Sequence, residues 1–234
     1  MTNGDEIERI RKVYSEPVRK GFVHQEFPWH PRNPIFIYYR QAQERGLISL
    51  FNQCGFPLKN MRVLDIGCGY GGFLRFLGSL GVPPENLHGI DLMPERIEEA
   101  RKISPLGINY QIGNAEQLPY PDQSFELVCQ FTVFSSVLDH QSRRRIAREM
   151  VRVLKQGGHT LWYDMRRSKG SVTRGIERGE IHSLFQTCSL KFLHPLHPPF
   201  ASRFAKRSIF LCELWDHLSV FKKTHYLALL LKKE

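Results

Sequence analysis

The sequence predicts an α/β protein with a doubly wound, mostly parallel, seven-stranded sheet. Short apolar strand candidates alternate with helical stretches, a glycine-rich turn follows the first of them, and an acid ends the second. This alternation is typical of repeated strand–helix–strand units, whose strands run parallel. The strand candidates are residues 62–66, 87–91, 108–112, 126–130, 159–164, 189–193 and 224–230.

The glycine-rich turn joins the first strand to a helical run over residues 72–80. Gly67, Gly69 and Gly71 carry no Cβ, so the backbone can approach a ligand closely and adopt positive φ. The free N–H groups at the start of the helix favour electron-rich ligand atoms. The turn therefore predicts a ligand site, and we expect a ligand with an adenosine group. A strand and tight turn that bind nothing are the alternative.

The spacing of the glycines does not by itself identify the ligand. Gly67, Gly69 and Gly72 also spell Gly-x-Gly-x-x-Gly, the pattern of dinucleotide-binding sites. Asp65 stands two residues before the first glycine, where its carboxylate would repel the pyrophosphate of a dinucleotide. The same carboxylate would attract a ligand with a cationic end. Asp65 therefore favours a positively charged nucleoside.

The stretch from Val63 to Gly71 resembles motif I of the class I, Rossmann-like methyltransferases that depend on S-adenosyl-L-methionine (SAM), whose pattern is Asp-x-Gly-x-Gly-x-Gly. With the segments described next, the resemblance covers roughly residues 60–165. It implies SAM as the cofactor and an antiparallel last strand, and it says nothing about the methyl acceptor. The residues that it implies around the cofactor here are Asp65, Gly67, Cys68, Gly69 and Gly71.

A second acid, Asp91, ends the next strand candidate and is followed by Leu92. In nucleotide-binding folds an acid at this point accepts hydrogen bonds from the ribose hydroxyls. We therefore expect Asp91 and Leu92 beside the ribose, on either the SAM or the dinucleotide interpretation. Asp91 also precedes Pro94 and a helical run over residues 95–102, so a role as helix N-cap fits the local sequence equally well.

The segment over residues 112–126 resembles the family's Gly-Asp-Ala, Leu-Pro and Asp-x-Ser-Phe-Asp stretch. In that family the acid of Gly-Asp-Ala faces the adenine amino group, and the next backbone N–H meets a ring nitrogen. Asn114 stands where the family has the acid, and its side-chain carbonyl can still accept from an amine. The resemblance therefore implies adenine contacts by Asn114, Ala115 and Glu116. A turn-forming Asn is the alternative.

The fourth strand candidate leads into a loop that the resemblance puts beside the methyl group. Gln130 and Phe131 are predicted to contact the cofactor there. A helix is expected over residues 141–154, and Gly157 after its basic last turn predicts where it stops. This end resembles the family's Arg-Val-Leu-x-Pro-Gly-Gly, with Gln156 in place of Pro.

The chain is expected to form a single domain in three parts: a helical lid over 1–58, a cofactor-binding core over 59–165, and a substrate-side insert with the C-terminal strands over 166–234. Its 234 residues, 41% of them apolar, can bury one core. Within the lid, a helical run over 36–51 contains Arg40. In many relatives such a helix closes over the cofactor, and Arg40 could meet its carboxylate. A plain amphipathic packing helix is the alternative.

Composition favours a soluble, cytoplasmic protein. Residues 1–20 are charged and lack the apolar core of a secretory signal, and no apolar run approaches the ~18 residues of a membrane span. The cysteines have neither an even count nor metal-ligand spacing, so we expect unpaired thiols in a reducing compartment and no metal. They are Cys54, Cys68, Cys129, Cys188 and Cys212.

Positive charge is concentrated late in the chain. Residues 141–234 hold 19 Lys and Arg against 7 Asp and Glu, whereas residues 1–140 hold 14 against 16. Such a surface could attract RNA, anionic lipid headgroups or an anionic substrate. Over residues 192–207 the basic side chains alternate with Leu, Phe and Pro, which suits a peripheral membrane contact at least as well as RNA. A solvated basic face without a partner is the alternative.

Candidate catalytic groups must lie where strands end at the cofactor edge of the sheet. Residues 162–166, Trp-Tyr-Asp-x-Arg, resemble a subset of bacterial methyltransferases of glycan and natural-product biosynthesis. Tyr163 or Asp164 could line the acceptor pocket, and His140 could act as a base. Asp164 as a cap or ion-pair partner, and His140 as a helix-entry residue, are the structural alternatives.

Together these features predict a SAM-dependent methyltransferase that acts on a hydroxyl of a small molecule or glycan, including an anionic or lipid-linked one. N-methylation stays open, although the Asn/Asp-Pro-Pro-aromatic motif of one nucleic-acid class is absent after the fourth strand. An RNA- or lipid-associated acceptor and an NAD(P)-dependent oxidoreductase are the alternative enzymatic functions. A basic RNA- or membrane-associated module is the non-enzymatic one.

Overall fold

A computed structural model describes residues 3–21, 32–168, 172–197, 205, 207–218 and 223–233. Part of the basic segment 192–207 lies outside the described residues. The helices are α1 (Asn3–Gly21), α2 (Pro34–Cys54), α3 (Gly72–Ser79), α4 (Pro94–Ile103), α5 (Val133–Ser136), α6 (His140–Val153), α7 (Arg178–Leu184) and α8 (Ile209–Leu218). The strands are β1 (Val63–Ile66), β2 (Leu87–Asp91), β3 (Asn109–Ile112), β4 (Phe125–Phe131), β5 (Leu154–Met165), β6 (Cys188–Leu196) and β7 (His225–Lys232).

The strands form a seven-stranded sheet in the order β3-β2-β1-β4-β5-β7-β6. The first five strands pair in parallel, and β7 inserts antiparallel between β5 and β6. The predicted mostly parallel sheet and its antiparallel last strand are therefore confirmed. The strand order reverses between β1 and β4, which in doubly wound sheets is the point where ligands bind.

Both faces of the sheet are covered, because successive side chains of each strand point to opposite sides. Leu64 and Ile66 of β1 belong to a core that includes side chains of α6 and α7. Val63 belongs to a second core, shared with α2, α3 and α4. All four residues of β1 are buried. A strand buried on both sides needs apolar residues at nearly every position, which explains the sequence Val-Leu-Asp-Ile.

The boundary between α6 and β5 differs from the prediction. Helix α6 ends at Val153 and β5 begins at the next residue, so Gly157 lies inside the strand instead of ending the helix. Leu154 already pairs with Phe125, and the register with β4 shifts after that pair. Gly157 has φ +68°, a left-handed conformation that other residues rarely adopt. Gly157 therefore allows the backbone of β5 to become irregular where its register with β4 shifts.

The predicted N-terminal helix over 36–51 is α2, which is capped at both ends. Asn33 Oδ1 accepts a hydrogen bond from the Ile35 N–H, and Gly55 at φ +60° follows the last residue. Helix α2 packs against β6 and α8. It therefore covers the half of the sheet that is formed by its last strands.

Candidate functional site

A cavity of about 190 Å³ opens at the carboxyl ends of β1, β2, β3 and β4. This is the edge at which doubly wound sheets bind ligands. Its walls come from the loops after these four strands and from α1. The predicted cofactor residues that line it are Gly67, Asp91, Leu92, Asn114, Ala115, Glu116 and Phe131. The fold thus brings together segments that are far apart in the sequence.

The loop after β1 requires glycine at two positions. Gly67 has φ +64°, and a Cβ there would lie 2.5 Å from Val133 Cγ2. Gly71 has φ +71°, and a Cβ there would lie 2.0 Å from the Tyr110 hydroxyl. Both the backbone conformation and the available space exclude a larger side chain. The positive φ that the sequence predicted is therefore present, and the space beside these two glycines is filled by protein side chains.

Asp91 links the loops after β1 and β2. Its Oδ2 accepts a hydrogen bond from the Gly69 N–H at 2.8 Å, and its Oδ1 accepts one from the Met93 N–H at 2.9 Å. Burial raises the pKa of Asp91, although Arg96 and the two hydrogen bonds act in the opposite direction. Each carboxylate oxygen has a second lone pair, so Asp91 could also accept from a ligand hydroxyl. The N-cap of α4 is Met93, not Asp91.

Asp65 is buried at the end of β1, next to Asp91. Among the described residues no hydrogen-bond partner reaches its Oδ1. Burial, and then the neighbouring Asp91 carboxylate, raise the pKa of Asp65 well above its usual range. A buried carboxylate oxygen without a donor is costly, and a cationic or N–H-bearing ligand would relieve that cost. Asp65 does not line the cavity itself, but Gly67 two residues later does.

Asn114 and Glu116 line the part of the cavity that follows β3. Asn114 Oδ1 accepts a hydrogen bond from the Glu116 N–H at 3.0 Å, which closes an Asx turn. Asn114 therefore forms a turn, as the alternative predicted. The amide nitrogen and the second carbonyl lone pair of Asn114 could still contact a ligand. The Glu116 carboxylate forms an ion pair with Arg145 of α6.

Gln130 and Phe131, at the end of β4, have different environments. Gln130 is fully buried; its Nε2 donates to the Tyr163 carbonyl at 3.3 Å and its Oε1 accepts from the Val133 N–H at 3.0 Å. Its two hydrogen bonds therefore hold the loop after β4 in place, and its side chain does not line the cavity. The Phe131 ring lines the cavity directly. Thr132 also lines it, in a left-handed conformation with φ +59° that the sequence analysis did not anticipate.

Helix α1 covers the cavity and is tied to the loop after β4. Buried Glu6 accepts from the Leu138 N–H at 2.5 Å. Arg9 donates to the Ser136 carbonyl at 2.5 Å, and the Tyr14 hydroxyl lies 2.6 Å from Ser136 Oγ. Ile7, Ile10 and Tyr14 line the cavity. Within the predicted lid over 1–58, α1 therefore supplies side chains that line the cavity.

The expectation that the helix over 36–51 contributes Arg40 to the site is not met. Arg40 forms an ion pair with Glu44 at 3.2 Å on α2, and its side chain is mostly exposed. The main contacts of α2 are with β6 and α8, and none of its residues lines the cavity. The sequence does indicate that α1 is a helix, because Glu6 and Arg9 are three residues apart and Ile7, Ile10 and Tyr14 follow helical spacing. This spacing does not indicate where the helix packs.

Tyr163 and His197 form a buried hydrogen-bonded pair on the next part of the same edge. The Tyr163 hydroxyl lies 2.6 Å from His197 Nε2. Burial raises the pKa of Tyr163 well above its usual range and lowers the pKa of His197 well below its own. Both groups are therefore neutral. His197 has φ +62°, and non-glycine residues in this strained conformation are concentrated at functional sites.

This pair is separated from the cavity by one aromatic ring. The ring centroids of Tyr163 and Phe131 are 5.8 Å apart, and Phe131 lines the cavity. On the other side, Tyr39 of α2 packs on His197 with centroids 4.4 Å apart, and His225 stacks on Tyr163 at 5.2 Å. The result is an uncharged, mostly aromatic region beside the cavity. The sequence analysis selected Tyr163 but missed His197.

Asp164 and His140 do not line the cavity. Asp164 is buried on the opposite face of β5, where its Oδ2 accepts from the Ser135 N–H at 3.2 Å and its Oδ1 from the Met165 N–H at 2.7 Å. Burial raises the pKa of Asp164 to about 6, against the lowering effect of these hydrogen bonds. His140 is exposed at the first turn of α6. This position agrees with the alternative interpretation of His140 as the residue at which the helix begins.

Among the described residues, no group of three or more His, Cys, Asp or Glu side chains could hold a metal ion. No helix there is both long enough and apolar enough to cross a membrane.

Comparison with known proteins matches a methyltransferase domain to residues 64–162. A phthiotriol/phenolphthiotriol dimycocerosates methyltransferase of Mycobacterium leprae is 30% identical over 165 residues, which cover 70% of this chain and 56% of that protein. A fatty-acid O-methyltransferase of Mycolicibacterium smegmatis is 34% identical, with 69% and 54% covered. A tRNA (carboxymethyluridine(34)-5-O)-methyltransferase of Saccharomyces cerevisiae is 27% identical, with 77% and 56% covered. The chain thus spans little more than half the length of these relatives.

Solved structures show the same fold. A SAM-dependent methyltransferase from Mesorhizobium loti superposes with a TM-score of 0.60 at 19% identity, covering 77% of this chain and 95% of that one. The matched domain contains the Asp65 loop, Asp91 and the loop after β4, which build the cavity. This chain therefore belongs to the class I, Rossmann-like SAM-dependent methyltransferases.

Proposed function

We propose that this protein transfers the methyl group of SAM to a hydroxyl of an apolar, lipid-like molecule. The observation that carries the proposal is the uncharged aromatic region formed by Phe131, Tyr163 and His197 beside the cofactor cavity. A charged acceptor would lose its hydration there without gaining an opposite charge, whereas an alcohol with an apolar body would not. The fatty-acid O-methyltransferase agrees with an apolar acceptor that is methylated at oxygen, although its named acceptor is an acid and its product is therefore an ester.

The residues at the cavity fit the cofactor. Asp65 offers an unpartnered, buried carboxylate oxygen to the cationic methionine end of SAM. Asp91 offers two oxygens to the ribose, and Asn114 offers its side-chain amide to the adenine. When bound, SAM supplies an electrophilic methyl group on a sulfonium. The chain's own task is then to orient the acceptor oxygen and to keep water away.

We infer that Tyr163 contacts the acceptor hydroxyl. If the Tyr163 O–H donates to His197 Nε2, the phenolic oxygen keeps a lone pair that can accept the hydroxyl proton of the acceptor. That contact would fix the acceptor so that an oxygen lone pair faces the methyl group. Burial lowers the pKa of His197, so this imidazole does not remove the hydroxyl proton before transfer and first serves to orient Tyr163. Once the acceptor oxygen carries the methyl group, its proton is strongly acidic and passes to the Tyr163 oxygen, while the Tyr163 proton passes to His197 Nε2.

Asp164 has a positioning role in this proposal. Its carboxylate holds the Ser135 N–H at 3.2 Å, and the adjacent Ser136 lines the cavity and binds α1 through Arg9 and Tyr14. The side chain therefore supports the loop that separates cofactor from acceptor. The proposal gives no catalytic role to exposed His140 and no cofactor contact to Arg40.

A tRNA acceptor is the second candidate, favoured by one relative and by the excess of basic residues after residue 140. The neutral region at Tyr163 offers no cation to a phosphate, so we rank the lipid hydroxyl first.

Incubation with methyl-labelled SAM and separate lipid, glycan and tRNA extracts distinguishes these acceptors. We expect label in the lipid fraction that survives mild alkali, because an ether is stable where a methyl ester is cleaved. Label confined to tRNA or glycan would contradict the proposal.

We expect Asp65→Asn to weaken SAM binding by about tenfold or more, because a neutral amide cannot complement the cationic end of the cofactor. Isothermal titration calorimetry measures the affinity, and urea unfolding shows that the variant is folded. Asp122→Asn is the matched control, since this carboxylate is exposed and pairs with Arg152. Equal affinities for the two variants would remove Asp65 from the cofactor site.

We expect Tyr163→Phe to lower kcat by about tenfold or more while SAM affinity changes by less than about twofold. The phenyl ring keeps the contact with Phe131 but cannot accept from the acceptor hydroxyl. The rate of methyl incorporation into the lipid extract, with affinity from calorimetry, measures both effects. Tyr226→Phe, on the neighbouring strand β7, is the control. A normal kcat in Tyr163→Phe would contradict contact with the acceptor.

We expect the free energy of unfolding to contain a contribution from Asp164 that is lost as the pH rises. The folded pKa is raised to about 6, so the folded state binds this proton more tightly than the unfolded state does. The contribution is complete below about pH 4 and disappears as the pH rises through 6, a change of at most about 3 kcal/mol. Urea unfolding of the wild type and Asp164→Asn at several pH values measures it. Identical pH dependence of the two proteins would contradict the shift.

A further inference from the structure

Helix α8 exposes a continuous apolar face. Phe210 and Leu218 are each 70% exposed, and Leu211, Leu214 and Trp215 are between 39% and 48% exposed. Their spacing of one, four, five and eight residues puts all five on one side of an α-helix. A surface helix of a globular protein normally buries such a face against the core. Here the apolar face points to the outside.

The other side of α8 contacts the body of the protein through polar and small side chains. Cys212 is buried in a cluster with Ile35 and Tyr38 of α2. Glu213 forms an ion pair with Arg45 of α2 at 3.1 Å, and Asp216 forms one with Lys223. The two acids of the helix are therefore neutralised by the protein itself. What α8 presents outward is large, apolar and uncharged.

Basic residues flank this helix on both sides in the sequence. Arg203, Lys206 and Arg207 precede it, and Lys222 follows it. Arg207 is exposed, and Arg203, Lys206 and Lys222 lie outside the described residues. An apolar helical face with Lys and Arg at its borders is the pattern of helices that lie in the interface of an anionic membrane.

We propose that α8 docks this protein on an anionic membrane surface, with the apolar face defined by Phe210, Leu211, Leu214, Trp215 and Leu218 in the headgroup region. Charge favours a membrane over a second copy of the chain. The chain carries a net charge of +10, and a self-association through α8 would bring two sets of basic flanks together. Anionic lipid attracts the same flanks.

The docked orientation has a consequence for the site. Tyr38, which packs with Cys212 of α8, has its ring centroid 6.2 Å from that of His197, and His197 bonds to Tyr163. A short chain of contacts thus joins the docking face to the neutral region beside the cofactor cavity. Delivery of an acceptor from the bilayer rests on the proposed function, whereas the docking itself does not.

The experiment is flotation of the full chain with vesicles of phosphatidylcholine alone, or of an equal mixture of phosphatidylcholine and phosphatidylglycerol. We expect the wild type to bind the mixed vesicles at least about tenfold more strongly than the neutral ones, and high NaCl to reduce that binding. Phe210→Ser with Leu218→Ser should weaken binding to the mixed vesicles by about tenfold or more. Because both side chains are largely exposed, far-UV circular dichroism should show an unchanged fold.

Leu106→Ser is the matched control, because Leu106 is 96% exposed in the loop between α4 and β3, at the opposite edge of the sheet. It should leave vesicle binding unchanged. Absence of wild-type binding to the mixed vesicles, or equal binding by the double variant, would overturn the proposal. So would a wild-type dimer, seen by light scattering without lipid, that the double variant dissociates. A chain that docks but methylates no lipid would leave this inference standing and contradict the proposed acceptor.

Discussion

Two carboxylates, Asp65 and Asp91, are buried close together at the carboxyl ends of β1 and β2, and burial and then the Asp91 charge raise the pKa of Asp65. Burial of like charges costs free energy that hydrogen bonds offset only in part. Asp91 is stabilised by N–H groups from both neighbouring loops, whereas one oxygen of Asp65 has no donor among the described residues. This edge of the sheet therefore holds an unsatisfied carboxylate oxygen, whose cost a positively charged ligand would relieve.

Acidic and uncharged side chains lie at different parts of this edge of the sheet. The acids lie at β1 and β2, and the uncharged Tyr163–His197 pair lies at β5 and β6. Phe131 at the end of β4 stands between them. In the proposed function, a cationic cofactor and a neutral acceptor are each matched to one side, and transfer between them depends mainly on correct orientation. Helix α1, held by Glu6 and Arg9, closes the cofactor side.

The N-terminal region shows where prediction from the sequence failed. Both N-terminal helices carry apolar side chains at helical spacing, and nothing local indicates which of them covers the cofactor. In the structure α2 packs against β6 and α8, and Arg40 does not line the cavity. Helix α1 is instead bound through hydrogen bonds to Ser136 and Leu138, more than 120 residues away. His197 was missed for the same reason, since only the insertion of β7 between β5 and β6 brings its strand near Tyr163.

By itself, the sequence determined the fold class, the glycine turn, the acids at the ends of β1 and β2, and hence the cofactor. These features are encoded locally, because a turn that needs positive φ and a strand buried on both faces each restrict residue type at adjacent positions. Only the tertiary structure decided which helix covers the cavity, which histidine meets Tyr163, and which face of α8 points outward. Those outcomes depend on packing between distant segments, and no short stretch of sequence contains both partners.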